Sequence, residues 1–317
     1  MRNCLLCVLV FAALAAAQPA AAQDTLKLAI GQIDTWENQG PTLGQEGGIF
    51  KKHGLVLDAF GTQGTGETMQ PVIAGSADIG FAVGTEGVLR AFAKGAPVRI
   101  ILPAFTGTDD LYWYVRADSP LKSLKDVTDQ MTIAYSASGS STQSVVLGFI
   151  AELGVKGRPV AAGSPAGTLT AVMSGQIDVG WATPPFGLKE LRGGKIRILA
   201  RGSEVPSLRD LTVRVTMANA EALRSRAEVF RRFVRGYRES IDWMYSDPAA
   251  VALYARKVGI AEDLVKDAIR DFFPKQALQS DEIKGVQAAM ANAIRLKFLD
   301  APLTAQQLAE LIQIPPR

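Results

Sequence analysis

A dense group of small polar residues occupies the stretch SASGSST at residues 136–142. It follows a strand predicted at residues 131–135 and opens a helix predicted at residues 141–153. Its free backbone N–H groups and the helix dipole favour an anion such as a sulfonate, carboxylate or phosphate. The alternative is an ordinary helix cap, because Ser140-x-x-Gln143 fits the capping-box pattern, and the Gly-Lys-Ser/Thr of a P-loop is missing. The ligand-binding candidates here are Ser138, Gly139, Ser140, Ser141 and Thr142.

A passage that occurs twice marks two more candidate loops. AGSADIGFAVGTE at residues 74–86 returns as SGQIDVGWATPPF at residues 174–186, and both copies contain Gly-x-x-Asp-x-Gly. In each copy we expect the first glycine to end a helix and the aspartate to turn the chain into a short buried strand. The carboxyl edge of such a strand is where ligands bind in open α/β sheets. Helix capping and, for Trp181, burial in the core are the alternatives for the candidates beyond these strands: Thr85, Glu86, Trp181, Thr183 and Phe186.

One further polar loop contains several glycines. GTQGTGET, at residues 61–68, follows a strand predicted at residues 55–60. Its glycines would allow the backbone to approach a ligand closely, and Thr65 is the candidate side chain there. A flexible surface loop is the alternative.

The candidate loops differ from typical anion sites in their charge. Together with the loop that follows the first predicted strand, they carry four carboxylates and no Lys or Arg: Asp34, Glu37, Glu67 and Glu86. A purely anionic ligand would have to rely on backbone N–H groups and hydroxyls, so a zwitterion or a weakly cationic heterocycle fits better. Three arginines outside the loops could still turn inward: Arg116, Arg201 and Arg209.

Residues for covalent or metal chemistry are scarce in the sequence. His53 is the only histidine, and both cysteines, Cys4 and Cys7, lie near the N-terminus. No Gly-x-Ser-x-Gly elbow occurs, and a metal site would have to rely on carboxylates, of which no dense cluster is present. We therefore expect a non-enzymatic protein without a metal or other cofactor.

The N-terminus has the pattern of a secretory signal peptide. Arg2 supplies a positive start, residues 5–17 an apolar run, and residues 20–22 a small-residue cleavage site, so we expect cleavage after Ala22. Both cysteines belong to this segment. Without Arg2, 33 basic residues (34 − 1) face 31 acidic ones, a balance that gives no reason to expect nucleic acid as a partner. A soluble, monomeric periplasmic protein is the simplest interpretation.

The rest of the chain divides into two patterns. Residues 25 to about 200 alternate apolar strands with helical stretches, which is typical of α/β proteins, and a length of 317 residues favours two lobes. From residue 221 onward the sequence is helical, and in residues 223–240 the helical spacing of apolar side chains predicts a buried face. A helical tail without strands cannot form another α/β lobe, so we expect it to pack on the first. That buried face contains Phe230, Phe233, Val234, Tyr237 and Ile241.

Four stretches in order resemble the periplasmic solute-binding proteins of the nitrate, aliphatic-sulfonate and taurine ABC importers. They are GGIFKKHGLVLDAF (residues 47–60), VIAGSADIGFA (72–82), VRADSPLKSLKDV (115–127) and VMSGQIDVGWA (172–182). The group also includes binding proteins for thiamine-pyrimidine precursors. The resemblance implies a type II periplasmic binding fold with two similar α/β lobes and two hinge crossings, near residues 112–116 and 210–215. Because the family uses the loop after the first strand, QIDTWEN adds three candidates: Asp34, Trp36 and Glu37.

The resemblance also implies a division of the chain and a function. We expect a signal peptide at residues 1–22, a first part of lobe one at 23–112, lobe two at 113–212, and completion of lobe one by the helical tail at 213–317. The protein would bind a small organic solute between the lobes and deliver it to an inner-membrane ABC permease. Two alternatives remain: a cytoplasmic-type enzyme on the same fold, such as a dehydratase or pyrimidine synthase, and a protein that presents its ligand to a sensor.

Overall fold

A computed structural model describes residues 23–278 and 281–316 of the chain. The signal peptide expected at residues 1–22 lies outside the described residues. Within them, strands and helices alternate as far as Asn219, and the chain beyond is helical, as the sequence predicts.

The first sheet contains five strands: β1 (Asp24–Gly31), β2 (Leu55–Thr62), β3 (Ile79–Gly84), β4 (Val98–Thr106) and β10 (Thr212–Asn219). Their order is β2-β1-β3-β10-β4. β1 runs parallel to β2 and β3, whereas β10 is antiparallel to both of its neighbours. Every residue of β10 is buried, as expected for a central strand covered on both faces. This sheet and its helices form lobe one.

The second group of strands repeats the order of the first. It contains β5 (Tyr112–Arg116), β6 (Thr132–Tyr135), β7 (Arg158–Ala161), β8 (Gly180–Ala182) and β9 (Ile196–Arg201). β5 lies between β8 and β9, β6 pairs with β7, and a single bridge between Ile133 and Val179 joins the two sets. The order β7-β6-β8-β5-β9 therefore matches the first sheet, with antiparallel β5 in the place of β10. These strands and their helices form lobe two.

Helices flank both sheets. In lobe one these are α1 (Gly40–Glu46), α2 (Ile49–Lys52), α3 (Thr65–Ile73) and α4 (Thr85–Ala93). In lobe two they are α5 (Ser141–Leu153), α6 (Pro165–Met173) and α7 (Leu188–Arg192). The tail contains α8 (Ala220–Ser225), α9 (Ala227–Ser246), α10 (Pro248–Val258), α11 (Glu262–Phe272), α12 (Lys275–Leu278), α13 (Val286–Arg295) and α14 (Ala305–Leu311).

The tail packs mainly on lobe one and also touches lobe two. The apolar face predicted for α9 is buried, and its Phe233 ring stacks on Phe50 of α2 at 5.7 Å. At the end of α11, the Phe272 ring lies 5.7 Å from the Tyr112 ring of β5, with the Arg201 guanidinium 4.2 Å from its centroid. The tail therefore bridges the lobes as well as covering the first.

The repeated passage makes the same hydrogen bond to a neighbouring strand in each lobe. Its aspartate accepts a backbone hydrogen bond from the neighbouring parallel strand: Asp78 from Lys27 of β1, and Asp178 from Thr132 of β6, both at 2.8 Å. Each aspartate thereby ties its strand to the next one in the sheet. Both strands then run to the sheet edge that faces the other lobe.

Candidate functional site

A small cavity lies where the carboxyl ends of strands from both lobes meet. Its volume is about 40 Å³, which is room for roughly three water molecules. The residues that line it come from both lobes and from the connections between them: Gly31, Gln32, Glu37, Asn38, Gly64, Thr65, Ala82, Leu111, Ser136, Ser140, Ser141, Thr142, Trp181, Thr183 and Arg214.

The lobe-two wall includes the N-terminus of α5. Ser140 caps this helix, and its hydroxyl accepts from the Gln143 N–H at 3.2 Å. The Thr142 hydroxyl lies 2.9 Å from the Ser136 hydroxyl and 2.8 Å from that of Ser140, so the three form a connected group. The first N–H groups of a helix have no intrahelical acceptor and attract negative charge. This wall of the cavity is therefore suited to an anionic group.

Trp181 of β8 and Thr183, the residue after that strand, contribute two polar side chains to the same wall. Trp181 and Thr183 are each 2% exposed, yet the indole Nε1–H and the threonine Oγ1 have no hydrogen-bond partner among the described residues. Opposite Trp181 on the neighbouring strand β5 lies Trp113, whose indole donates to the Ala134 carbonyl at 2.9 Å. Of these two paired tryptophans, Trp113 has a hydrogen-bond acceptor for its indole N–H, whereas Trp181 has none and lines the cavity.

Two buried ionisable residues, Arg214 and Glu37, line the lobe-one side, and a third, Asp110, pairs with Arg214. The Arg214 guanidinium of β10 donates to the Asp110 carboxylate at 2.6 Å, between the segment that leads from β4 to β5 and the strand that follows the second crossing. Glu37 lies nearby in a short 3-10 turn after β1 and is 1% exposed. Its Oε2 and the Arg214 Nε have no hydrogen-bond partner among the described residues.

The pKa of Glu37 is strongly perturbed. Burial raises it from 4.5 to about 8, and the neighbouring Asp110 carboxylate acts in the same direction. The Arg214 guanidinium, a backbone hydrogen bond and the Thr35 side chain oppose this rise, but burial outweighs them. Burial therefore favours the protonated, neutral form of Glu37. Burial also raises the pKa of Asp110, against the opposing charge and hydrogen bond of Arg214.

The backbone around the cavity is strained. Gln32 and Ala82, just after β1 and at the end of β3, have φ of 48° and 61°, and both line the cavity. Among the described residues, Lys297 is the one other non-glycine with a positive φ. Such conformations are costly for residues with a Cβ and concentrate at functional sites.

A tight contact between the lobes lies beside the cavity. Glu86, at the start of α4, accepts a hydrogen bond from the Ser144 hydroxyl of α5, and burial raises the pKa of Glu86 to about 7. The Ser144 hydrogen bond and the Arg295 charge oppose that rise. Next to this pair the backbone at Gly84 faces Gly139, and a Cβ on Gly84 would lie only 2.2 Å from the Gly139 oxygen. No side chain fits at Gly84 in this arrangement.

The structure brings part of the predicted set of site residues together. The predicted residues that line the cavity are Glu37, Thr65, Ser140, Ser141, Thr142, Trp181 and Thr183.

The other predicted site residues lie elsewhere. Trp36 is buried among core aromatics, with its ring 5.1 Å from that of Tyr254, and Asp34 and Ser138 are exposed. The Thr85 hydroxyl donates to the Thr212 carbonyl at 2.6 Å. Glu86 and Gly139 belong to the contact between the lobes, and the Phe186 carbonyl accepts from the Tyr112 hydroxyl at 2.5 Å.

The cavity contains a cationic residue that the sequence analysis missed. The arginines considered there make other contacts: Arg116 pairs with Asp118, Arg201 lies over Phe272, and Arg209 donates to the Ser203 carbonyl. Arg214 is the one that reaches the site. Its signal in the sequence is an arginine within the otherwise uncharged strand TVRVTMAN.

Two features are absent from the described residues. No group of three or more His, Cys, Asp or Glu side chains is placed to hold a metal ion in this part of the chain. No helix there is long and apolar enough to cross a membrane.

Comparisons with known proteins agree with the two-lobe architecture. A family model described as NMT1/THI5 like matches residues 39–251. Among curated proteins, no sequence matches this chain.

Solved structures extend the comparison to nearly the whole chain. The alkanesulfonate-binding protein SsuA from Xanthomonas axonopodis pv. citri, bound to MOPS, superposes with a TM-score of 0.76 at 18% identity, over 93% of this chain and 100% of that one. The periplasmic nitrate-binding protein NrtA from Synechocystis PCC 6803 superposes with a TM-score of 0.67 at 15% identity, over 91% of this chain and 85% of that one. The desulfurization enzyme DSZB superposes with a TM-score of 0.61 at 16% identity, over 92% of this chain and 97% of that one. The shared fold, that of periplasmic binding proteins, thus serves binding proteins and an enzyme.

Proposed function

This chain belongs to the NMT1/THI5-like family, and from that premise we propose that it is the substrate-binding component of an ABC importer. It would hold a small organic solute, such as a sulfonate, a taurine-like zwitterion or a pyrimidine-type heterocycle, in the cavity between its lobes. Proteins of the same fold include an alkanesulfonate-binding protein and a nitrate-binding protein, which supports this proposal.

One observation supports the proposed site above all others. Four residues that line the cavity each have a buried side-chain atom without a partner among the described residues: Glu37 Oε2, Trp181 Nε1, Thr183 Oγ1 and Arg214 Nε. Buried polar atoms are almost always hydrogen-bonded, and each one left without a partner costs about 1–3 kcal/mol. A solute that satisfied several of them at once would recover that free energy on binding.

The proposal includes a division of the chain and a cellular setting. We place lobe one at residues 23–112 and 213–317 and lobe two at 113–212, with a cleavable signal peptide at residues 1–22. The chain passes between the two sheets in the segments between β4 and β5 and between β9 and β10. The lobes would close on the solute by bending these two segments, and a closed monomer in the periplasm would then dock on an inner-membrane permease.

A ligand panel tests the proposed function. The purified chain without residues 1–22 is heated with sulfonates, amino acids, amines, pyrimidines and carboxylates, because a solute that binds only the folded state must raise the melting temperature. We expect one chemical class to stabilise the protein. A flat response to the whole panel, together with native mass spectra that show no co-purified small molecule, would contradict the proposal.

The same experiment separates binding from catalysis. The solute that stabilises the protein is incubated with it for many hours and then recovered by denaturing the protein. A binding protein returns the solute unchanged, whereas conversion into a product would favour the enzyme interpretation.

A further inference from the structure

A second cavity lies on lobe two, at the end of its sheet away from the cavity between the lobes. Its volume is about 330 Å³, which is within the range of ligand-binding pockets. None of the residues that line it also lines the cavity between the lobes. Its lining includes four apolar side chains and two charged ones: Leu121, Met131, Val172 and Ile177, with Arg116 and Asp178.

The repeated passage identifies the equivalent place in lobe one. Asp78 and Asp178 hold the same position in the two copies, and each accepts a backbone N–H at 2.8 Å from the strand beside it, β1 or β6. In lobe one, the tail fills the place next to this aspartate. The Arg226 guanidinium, between α8 and α9, donates to Asp78 at 3.1 Å and also to the Thr25 carbonyl of β1. The Asp78 side chain is consequently only 19% exposed.

Apolar side chains of α9 complete this cover in lobe one. Val229 and Phe230 follow Arg226 by three and four residues, so they lie near it on the surface of the helix. Both are buried, in the same apolar cluster as the fully buried Leu26 of β1. An arginine with apolar residues one helical turn later therefore covers this corner of lobe one.

Lobe two, all of which the structure describes, has no long helix in this position. After β5, which matches β10, the chain returns to β6 instead of entering such a helix. Asp178 is exposed, and the contacts of its carboxylate are confined to Thr132 among the described residues. Met131 precedes Thr132 as Leu26 precedes Lys27, yet Met131 is only half-buried. The carboxylate and the apolar surface that the tail covers in lobe one are thus uncovered in lobe two.

Two arginines near the second cavity have acceptors of their own. Arg116 donates two hydrogen bonds to Asp118, at 2.6 and 3.0 Å. Arg197 donates to the Ser119 and Leu121 carbonyls and so fastens the segment that follows β5. Neither guanidinium pairs with the aspartate of the repeat, so that negative charge is open to a cation from outside the chain.

We propose that the second cavity is a docking site for a helix of another protein, with an arginine beside Asp178 and apolar side chains one turn later against Met131 and Ile177. The partner's arginine would take the place that Arg226 has in lobe one. One exposed ion pair contributes little by itself, so the apolar contact supplies most of the affinity. Because the second cavity lies away from the cavity between the lobes, docking there requires neither a solute nor closure, and the inference is independent of the proposed function.

A peptide copied from this chain tests the proposal, because the start of α9 carries the required pattern. The probe is AEALRSRAEVFRRFV, residues 220–234, blocked at both ends and labelled with a fluorophore. It is titrated with the full chain without residues 1–22, at physiological ionic strength, and followed by fluorescence anisotropy. We expect saturable binding, and about fivefold weaker binding of the peptide with Arg226→Gln. The control peptide, Arg231→Gln, has the same net charge and should bind like the original.

The repeat supplies a matched pair of protein variants. Asp178→Asn removes the uncovered carboxylate and should weaken peptide binding about fivefold. Asp78→Asn makes the same change where Arg226 already covers the side chain, so it should bind the peptide like the wild type. Amide NMR spectra of the unaltered chain locate the site independently of any variant. The peptide should shift signals of residues 116–121 and 175–178 and leave those of the cavity between the lobes unchanged, with or without a bound solute.

Several results would overturn the inference. These are the absence of saturable binding up to millimolar peptide, equal affinities of the Arg226→Gln and Arg231→Gln peptides, and unchanged binding by Asp178→Asn. Shifted amide signals confined to other parts of the chain would also overturn it. So would equally tight binding of agmatine, which would show a site for a free small cation instead of a helix. The ligand panel tests the proposed function separately, and its outcome does not affect this one.

Discussion

The two copies of the Gly-x-x-Asp-x-Gly passage are alike where they enter the sheet and different where they leave it. Both begin with a glycine of positive φ, 75° at Gly75 and 76° at Gly175, followed by an aspartate that ties two strands together. Beyond the strand, the first copy leads to Glu86 and the contact between the lobes, whereas the second brings Trp181 and Thr183 to the cavity.

This difference divides each copy into a half that supports the fold and a half that forms the contact between the lobes or the cavity. The shared half of each copy positions a strand and has no contact with the cavity, so it can remain the same in both lobes. The divergent half differs in what it contributes: mainly the contact between the lobes in the first copy, from which Ala82 also lines the cavity, and two cavity-lining polar side chains in the second. Substitutions in the two halves should therefore affect different measurements.

The largest effect is expected where the first copy touches lobe two. In Gly84→Ala the added Cβ would lie 2.2 Å from the Gly139 oxygen. Because the obstructing atom is backbone, the closed arrangement should lose roughly 3 kcal/mol, or about 100-fold in ligand affinity. The φ of Gly84 is −60°, which suits alanine, so the melting temperature without ligand should change little. Titration calorimetry and thermal unfolding measure the two quantities.

The control for Gly84→Ala is Gly66→Ala. Gly66 lies in α3, and a Cβ there would meet no atom within 4 Å. Its affinity should equal that of the wild type. Wild-type affinity in Gly84→Ala would show that this contact is unnecessary for binding.

A somewhat smaller effect is expected from Glu86→Gln, and it depends on pH. Burial raises the pKa of Glu86 from 4.5 to about 7, so across that window the folded state holds a proton that the unfolded chain releases. The contribution of Glu86 to stability is therefore greatest below pH 4.5 and is lost as the pH rises through 7. The variant, which cannot ionise, should gain on the order of 2 kcal/mol in unfolding free energy relative to the wild type between pH 5 and 8. Urea unfolding at both pH values measures this gain.

The outcome for Glu86 is readily checked against a second variant. Glu262→Gln, at an exposed position of α11 whose carboxylate makes only a 3.7 Å ion pair with Lys266, should follow the wild-type curve at both pH values. If the curves of Glu86→Gln and the wild type were parallel, Glu86 would not titrate in this window.

Substitutions in the shared half of the repeat should lower the free energy of unfolding and leave ligand affinity unchanged. Asp78→Asn and Asp178→Asn each replace a charged acceptor of a backbone N–H by a neutral one, which should cost about 1 kcal/mol in unfolding free energy. Ligand affinity should stay within about twofold of the wild type, because neither aspartate lines the cavity. A large loss of affinity without a loss of stability would contradict the division between scaffold and function.

The smallest effect is expected from the tryptophan of the second copy. Trp181→Phe removes the unpaired indole N–H and keeps an aromatic ring, so affinity should fall about fivefold, or roughly 1 kcal/mol. The matched change Trp113→Phe leaves the Ala134 carbonyl without its donor and should lower stability while leaving affinity unchanged. The opposite pattern would place ligand contact at Trp113.

Local features of the fold were predictable from the sequence. The repeated passage predicted a helix end and a short buried strand in each of two similar lobes, because its glycine and aspartate act within one turn and one neighbouring strand. The apolar spacing of α9 likewise predicted its buried face, including Phe233. These signals depend on backbone geometry and periodicity, which short stretches of sequence contain.

The composition of the site was less predictable because it depends on distant contacts. Arg214 of β10 is paired with Asp110, 104 residues away in the segment between β4 and β5. No local sequence pattern in either segment predicts this pair. Trp36 lies in a loop that resembles a binding loop, yet Tyr245 and Tyr254 of the tail cover its ring. Which side of a loop faces the other lobe is decided by packing across the whole chain.

We expect a solute to close the two lobes around the cavity, and a pair of spin labels tests this expectation. A chain without residues 1–22 has no native cysteine, so cysteines at the exposed Gln70 of lobe one and Lys156 of lobe two can be labelled specifically. Their distance distribution is measured by pulsed electron resonance with and without a solute shown to bind by calorimetry. The account predicts that the solute shifts and narrows the distribution to a single shorter distance. An identical distribution with and without bound solute would contradict it.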